Sequence, residues 1–519
     1  MHDLRSFLDE LARQDDLLRL TQEINLNYAA AVFSATSKAV LFEHPAGYDA
    51  ALAGSVCATR SKIGLALNVP ERELLPTLRQ RLETLPEPVL LRDGPVKAQR
   101  YVGAEVDLTA LPIHLQHEKD GGPYISASMD ITKNEAGGHN LGLRRLMVVD
   151  ERHTTIDLRA PSDLRNAYRR ALARGETLDI AFAIGMHPAY SLACLLKTPA
   201  RDAYRLLAGL SPDRLELVPC DTVDLLVPAQ AEYVLEGTLS PAGYTEVEGP
   251  FGEFLGSYGR AGLNPLVEIK AITHREQPIF QTMTISGRNL ATTETGQLGS
   301  LRSEHLLWEI LQRAIDQPVN VYCPPSTSSL GAVAAIKPTN SGDGKNALLA
   351  LLATNVKFAV VVDDDVDIFN PAEVHWAITT RSQPDRDLIV VQDGRSIPLD
   401  PSLPAAQPPF FTAKLGIDAT KSASLPPARF ETPEPPFHEL LREGLEVFLA
   451  AAGREEPERI APETLRAEML RLLDAGPCTY FDLLKPFARV PHQQLLRTVA
   501  DLTSGGRLKR TADGRLSRR

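Results

Sequence analysis

Thr245-Glu246-Val247-Glu248-Gly249-Pro250-Phe251-Gly252-Glu253-Phe254-Leu255-Gly256 is the stretch on which the reading of this chain turns. Two carboxylates, Glu248 and Glu253, lie five residues apart around Gly249, Pro250 and Gly252. On a strand that odd spacing sends them to opposite faces, and on a helix they diverge by more than a third of a turn. Glycine and proline disfavour both regular forms and predict a tight loop, where the two side chains can converge. Converging carboxylates are costly unless a cation or a shared proton compensates them. Proton-transfer chemistry uses that arrangement.

The whole chain sets the frame around this loop. Its 519 residues are enough for about three domains. With 43% hydrophobic and 23% charged residues it has the composition of an ordinary soluble globular protein. A net charge of −11 gives no global attraction to nucleic acid or to an anionic membrane. Five scattered cysteines, Cys57, Cys194, Cys220, Cys323 and Cys478, form no CxxC pair. Their odd number argues for a reducing compartment and against a zinc knuckle or a disulfide scaffold. The N-terminus turns acidic at Asp3 and lacks a signal-peptide core. No apolar run reaches the roughly 18–20 residues that cross a bilayer. A cytoplasmic protein with no membrane partner is expected.

Four segments follow from periodicity and punctuation. Residues 1–108 read as a small α/β unit, with a helical period at Leu4, Phe7, Leu8 and Leu11 and strands at Leu17–Leu20, Val40–Phe42 and Ser55–Val56. Residues 109–315 are β-rich, with short runs at Ser126–Thr132, Leu146–Val149, Asp179–Ile184 and Leu266–Thr273. Helices are expected there at Ser162–Ala173, around Ala203–Leu210 and at Ser303–Ile315. Residues 316–425 alternate strands with helices, as in Phe358–Val362 followed by Ala372–Thr380, which reads as α/β with partly parallel pairing. A proline-rich linker, Pro426 to Pro436, opens the last segment, 426–519. Three short amphipathic helices, Glu463–Leu473, Tyr480–Phe487 and Pro491–Leu502, precede a hairpin signal at Ala512-Asp513-Gly514. Three helices and a β-wing look like a winged helix.

Other positions stand out by residue type. Gly138 to Arg145 offers an amide oxygen (Asn140), a flexible Gly142 and a permanent cation (Arg145) in one loop or strand edge, or is simply a polar turn before a strand. Read as a strand, Pro228 to Gly237 puts Glu232, Val234 and Glu236 on one face, and alone Glu232 reads as part of a solvated face. Lys414, close to Gly416, can meet a phosphate or be merely exposed. His114 and His117 have a helical ligand spacing, but Pro112 places them in a loop.

Taken together these segments form a recognisable series. Asn-x-Gly-x-x-Arg at 140–145, Pro-Ala-x-x-Glu ending at Glu232, Glu-Gly-Pro-Phe-Gly-Glu at 248–253, Trp376-Ala377-Ile378-Thr379-Thr380-Arg381 and Lys414-Leu415-Gly416-Ile417-Asp418-Ala419-Thr420 occur in one order. With Asp120-Gly121-Gly122-Pro123-Tyr124-Ile125, the pattern resembles the UbiD family of prenylated-FMN-dependent decarboxylases from about residue 3 to 425. The tail lies outside most of that likeness.

The resemblance implies an α/β (α+β) protein. It would comprise an N-terminal α/β domain, a central split β-barrel that binds flavin and a C-terminal α/β oligomerisation domain. It implies reversible, non-oxidative decarboxylation of an unsaturated, aromatic or heteroaromatic acid, in a homodimer or homohexamer. A partner flavin prenyltransferase would supply the prenylated FMN. Arg145, Glu248 and Glu253 match the family's catalytic Glu-Arg-Glu set, with Glu253 as proton donor. Asn140 and Glu232 match ligands of a divalent metal, typically Mn²⁺, that clamps the cofactor phosphate, with K⁺ nearby. Leu143, Arg144, Ser162 and Lys414 fall at cofactor-binding positions. Where some members place a histidine ligand this chain has Asp163. It is either a third metal ligand, in an all-oxygen set suited to Mg²⁺ or Mn²⁺, or a cap on the helix beginning there.

The tail offers the alternative function, a regulator or scaffold acting through its basic wing. Residues 501–519 hold six cations against Asp501 and Asp513, and such a wing can touch phosphates. The third helix offers only Arg497, His492 and two glutamines as readers, so packing against a neighbouring subunit is preferred and nucleic acid is not the expected partner.

Overall fold

Asp3 caps the first helix, Leu4–Arg13: its carboxylate accepts from Ser6 N–H, and the Ser6 hydroxyl bonds back to the cap. Leu4, Phe7, Leu8 and Leu11 are buried at the spacing of one helix face. The computed structural model describes residues 2–196, 202–403, 410–441, 444–452 and 457–519. The first helix precedes a four-stranded sheet in which Leu17–Leu20 runs parallel to Ala39–Phe42. Ala51–Gly54 lies antiparallel beside them, and Ile279–Gln281 joins from far along the chain. The strand expected at Ser55–Val56 ends at Gly54, because Ser55 enters the left-handed region at φ 58°.

The centre is a barrel of six antiparallel strands. In order round the ring they are Tyr233–Glu248, Leu178–Ile184, Tyr124–Lys133, His139–Val148, His153–Ile156 and Gly262–His274, which pairs back to the first. Closure removes the free edges that an open sheet exposes. Ile180, Phe182, Tyr233, Leu235, Val267 and Ile269 are buried among these strands. The helix Pro188–Leu195 had no sequence signal, since Pro188 to Cys194 are all buried and no polar face marks a period.

A long helix, Glu294–Ala314, leads from the barrel towards a five-stranded sheet. It begins nine residues before the expected Ser303 because Glu294, Gln297 and Ser300 are polar yet buried. The sheet order is Pro318–Tyr322, Gly331–Ile336, Phe358–Asp363, Phe411–Ala419 and Leu388–Arg395, with its three central strands parallel. Helices Asp343–Leu352 and Pro371–Arg381 connect them.

Met1–Ser424 and Leu425–Arg519 are separate compact units. In the second, helix Pro462–Asp474 is followed by an isolated bridge, Cys478 to Leu516, then Tyr480–Leu484, His492–Ser504 and the hairpin Leu508–Arg510 with Leu516–Arg518. This α-β-α-α-β-β order is a winged helix, with its own core of Leu465, Met469, Leu483, Phe487, Leu495, Leu502, Leu508 and Leu516. Among the described residues no helix is long and apolar enough to cross a membrane.

Candidate active site

Glu248 is the last residue of its strand, and Glu253 follows the two-residue strand Phe251–Gly252. Gly249 between them has φ 87°, a conformation glycine adopts at no steric cost. The turn rests on the segment His117–Gly121. Gly121 N–H donates to Pro250 O at 2.8 Å, and a Cβ on Gly121 would lie 2.3 Å from Gly249 O. Asp120, its carboxylate fully buried, accepts from Gly252 N–H through Oδ1 and from His117 N–H through Oδ2, both at 2.9 Å. His117 is in a loop, as Pro112 implied; its Nδ1 lies 3.1 Å from Asp120 Oδ2.

Arg145, on the strand His139–Val148, joins the two acids. Its Nε donates to Glu248 Oε1 at 3.0 Å, Nη1 lies 2.9 Å from Glu253 Oε1, and Nη2 donates to Asp157 Oδ2 at 3.0 Å. The guanidinium stacks over Phe251, 4.5 Å from the ring centre. Burial works against its charge, but Glu253, Glu248 and Asp157 more than offset that and hold its pKa above the usual value.

The acids are held differently. Glu248 is fully buried and also accepts from Tyr124 Oη at 2.9 Å, Asn264 Nδ2 at 3.0 Å and Arg159 Nη2 at 3.4 Å. Glu253 is 5% exposed and, among the described residues, has only Arg145 as an ion-pair partner. Burial pushes its carboxyl above the ordinary range; Arg145 opposes the shift, and Asp157 and Glu248 add to it. Burial also raises Asp157, yet Arg145 and Arg159 outweigh it and leave that carboxyl low. The Tyr124 phenol is pushed up by burial and then by Glu248.

The remaining expected site residues scatter. Asn140 is half-buried opposite Thr132 in the barrel wall. Leu143 pairs with Met129 and packs on the core. Arg144 lies 3.5 Å from Asp130, whose carboxyl is raised by burial. Ser162, not Asp163, caps the helix Asp163–Arg174, accepting from Arg165 N–H; Asp163 is exposed in its first turn. Glu232 is fully buried rather than part of a solvated face. Its oxygens take a two-pronged bond from Arg5 at 2.7 and 2.8 Å and one from Ile279 N–H at 3.0 Å, with Arg275 at 3.4 Å. In this arrangement the carboxylate is tied to Arg5 of the first helix, a different use from the metal ligation that the resemblance implies. Lys414 is buried, not exposed, and donates to the carbonyls of Leu352 and Thr354. Among the described residues no group of three His, Cys, Asp or Glu can share a metal ion.

Sequence reading missed Tyr124, Asp157, Arg159, Asn264 and Asp120. Tyr124 and Asp120 stood inside a quoted motif; the others carry no local signal, since their partners lie on other strands. Two segments far from the acids in sequence, Gly287-Arg288 and Pro408–Phe411, bear on where a pocket wall lies. Gly287 O lies 3.6 Å from where a Cβ on Gly256 would sit, which puts it beside the Glu253 turn. Residues 408 and 409 lie outside the described residues, whereas Phe410 and Phe411 line a different cavity of about 710 Å³ with Lys414.

Comparison with known proteins decides the lineage. The N-terminal, Rift-related and C-terminal domain models of 3-octaprenyl-4-hydroxybenzoate carboxy-lyase match residues 8–82, 89–289 and 297–419. The chain belongs to the UbiD family of decarboxylases. The anhydromevalonate phosphate decarboxylase of Methanothermobacter thermautotrophicus is 31% identical over 431 residues, covering 80% of this chain and 96% of that protein. The phenolic acid decarboxylase of Sedimentibacter hydroxybenzoicus is 31% identical over 459 residues, covering 83% and 94%. The UbiD-class enzyme HmfF of Pelotomaculum thermopropionicum, solved with FMN, is 35% identical with a TM-score of 0.79, covering 85% of this chain and 99% of that one. An evolved dimeric form of HmfF with prFMN is 33% identical with a TM-score of 0.76, covering 85% and 98%. All three family matches end before the winged-helix unit begins.

The residues present suit a flavin with a phosphate tail. His187 Nε2, Gln281 Nε2 and Ser55 Oγ are buried with no hydrogen-bond partner among the described residues. Burial lowers the His187 pKa to about 3, and its Nδ1 accepts from Ala189 N–H, so Nε2 carries the hydrogen and donates. Gln281 is tied to the same loop, its Oε1 3.3 Å from Met186 N–H. Orphan donors of this kind fit an acceptor-rich ligand.

Proposed function

We propose that this UbiD-family protein catalyses the reversible, non-oxidative decarboxylation of an aromatic, heteroaromatic or α,β-unsaturated carboxylic acid with prenylated FMN. The single observation that carries this reading is the Arg145 guanidinium held between Glu248 and Glu253. The FMN and prFMN in the HmfF structures support the cofactor. The two decarboxylase names cover different acids, so a class and not one acid is proposed. A flavin prenyltransferase would supply the cofactor, and self-association as a homodimer or homohexamer belongs to the same proposal. Five free cysteines support a reducing, cytoplasmic setting.

His187, Gln281, Ser55 and Arg144 would hold the flavin's polar atoms. When bound, the prenylated flavin supplies the electron sink for the charge left by loss of CO₂. The chain must then deliver one proton. Glu248, bound by donors on both oxygens, orients Arg145. Glu253, its carboxyl raised by burial, keeps its proton to a higher pH than an ordinary acid and gives it to the reacting carbon; the O–H bond breaks as C–H forms. The Phe251 ring at Arg145 and the burial of both acids keep bulk water from this transfer. No step is assigned to Mn²⁺, Mg²⁺ or K⁺: Glu232 is committed to Arg5, which leaves Asn140 and Asp163 without the third expected ligand.

The test is the protein co-expressed with a flavin prenyltransferase, assayed by flavin absorbance and by CO₂ release from a panel of acids. Glu253→Gln should retain the flavin and lose about 10²–10⁴-fold in turnover. Near-normal turnover in that variant would remove Glu253 from the role, and absence of bound flavin would remove the cofactor.

A further inference from the structure

The winged-helix unit has no part in the chemistry above, and its surface has a distinct character. The chain as a whole is acidic, yet residues 485–519 carry nine Lys and Arg against two Asp. The helix His492–Ser504 buries Leu495, Thr498, Val499 and Leu502 against its own core. That leaves His492, Gln493, Leu496 and Arg497 exposed on the other face of its N-terminal half. Gln494, by contrast, is spent internally on the carbonyl of Ile460. Arg497, Arg507 and Lys509 are exposed and have no ion pair among the described residues. Arg515 and Arg518 have only exposed partners, Asp513 and Asp474, and such pairs give way readily to another anion.

We propose that this module binds duplex DNA, with helix His492–Ser504 in the major groove and the hairpin Leu508–Arg510 with Leu516–Arg518 against the phosphates. Arg and Gln are the side chains that read guanine and adenine edges there, and an apolar group such as Leu496 suits a thymine methyl. The N-terminal part of a second helix in such a fold is what reaches the bases. Charge complementarity favours this occupant over a protein: protein interfaces are depleted of charge at their centres, and Leu496 is the one large apolar side chain on this face. A B-form groove admits a helix, whereas the deep, narrow groove of duplex RNA does not.

The experiment uses the full-length protein and a fluorescent DNA duplex of about 20 base pairs, read by anisotropy across a salt series from about 50 to 200 mM. Binding in the micromolar range at the low end is expected, with a log–log salt slope near about −4 from four or five phosphate contacts. Lys509→Glu with Arg510→Glu should weaken binding at least about tenfold and reduce the slope by about 2, while decarboxylation is unchanged. Arg497→Ala should weaken binding with little change in slope. No binding at low salt, wing variants that bind like the parent, or equal affinity for an RNA duplex of the same sequence would each overturn the proposal.

Discussion

Arg145→Met removes the one cation that touches all three acids. In the parent, Nη1 lies 2.9 Å from Glu253, Nε 3.0 Å from Glu248 and Nη2 3.0 Å from Asp157. Met keeps an apolar stem against Phe251, so the loss is electrostatic. Removing one partner of a buried ion pair costs about 3–5 kcal/mol, because the other charge stays desolvated. The loss must depend on pH. Glu253 is already raised above its unfolded value, and without Arg145 burial and its neighbours raise it further. With a raised carboxyl, the folded state binds a proton that the unfolded chain releases. Stability is therefore present at low pH and is lost as pH rises through the folded pKa. The variant should show the full deficit of about 3–5 kcal/mol near pH 8 and recover most of it near pH 5. Urea unfolding of flavin-free protein, followed by tryptophan fluorescence, measures this. Both tryptophans, Trp308 and Trp376, lie in the Met1–Ser424 unit, so the signal reports that unit alone. An equal deficit at both pH values, or one below about 1 kcal/mol near pH 8, would refute the electrostatic account.

Turnover should fall as pH rises through the elevated Glu253 pKa, since only the protonated acid can donate; a pH–rate profile flat from weakly acidic to weakly basic pH contradicts this. Glu232→Gln should cost about 3 kcal/mol by leaving Arg5 and Arg275 under-compensated. It should leave the metal content of purified holoenzyme unchanged, whereas metal loss by elemental analysis would restore Glu232 as a ligand. Gly121→Ala places a Cβ 2.3 Å from the backbone oxygen of Gly249 and must move the turn that carries Glu253. Turnover should drop at least about tenfold with substrate binding less affected, and steady-state kinetics equal to the parent would show that the turn tolerates the shift.

What the sequence disclosed was local in origin. Gly249, Pro250 and Gly252 forbid regular structure around Glu248 and Glu253, and a loop with converging acids follows from residue type alone. The winged helix was equally legible, because short amphipathic helices and a turn signal are properties of contiguous residues. The features that stayed hidden depend on partners far along the chain. Glu232 looked like a solvated strand residue because Arg5, 227 residues earlier, is what buries and neutralises it. Glu294 lies before the helix expected from Ser303, and its partners are the distant amides of Ser55 and Cys57 and that of Thr284. Asp163 and Ser162 are adjacent and both suit a cap, and only backbone geometry assigns that role to Ser162. Lys414 near a glycine suggested a phosphate, but the carbonyls of Leu352 and Thr354 come from another part of the fold.

The inequality of the two acids is also a product of the fold. Glu248 Oε1 accepts from Tyr124 and Arg145, and Oε2 faces Asn264 and Arg159. Both oxygens of Glu248 are thus already taken up by donors. Among the described residues Glu253 pairs with Arg145 alone, with Asp157 and Glu248 set against its charge. Burial raises the Glu253 carboxyl, and Glu253 is the acid proposed to carry the proton. With it there, the guanidiniums of Arg145 and Arg159 face the carboxylates of Glu248 and Asp157. Delivering the proton to carbon leaves one negative charge in excess in a desolvated space, where such a charge is most costly. That excess repels an incoming carboxylate substrate. Under the proposed function, reprotonation of Glu253 therefore precedes the next binding event.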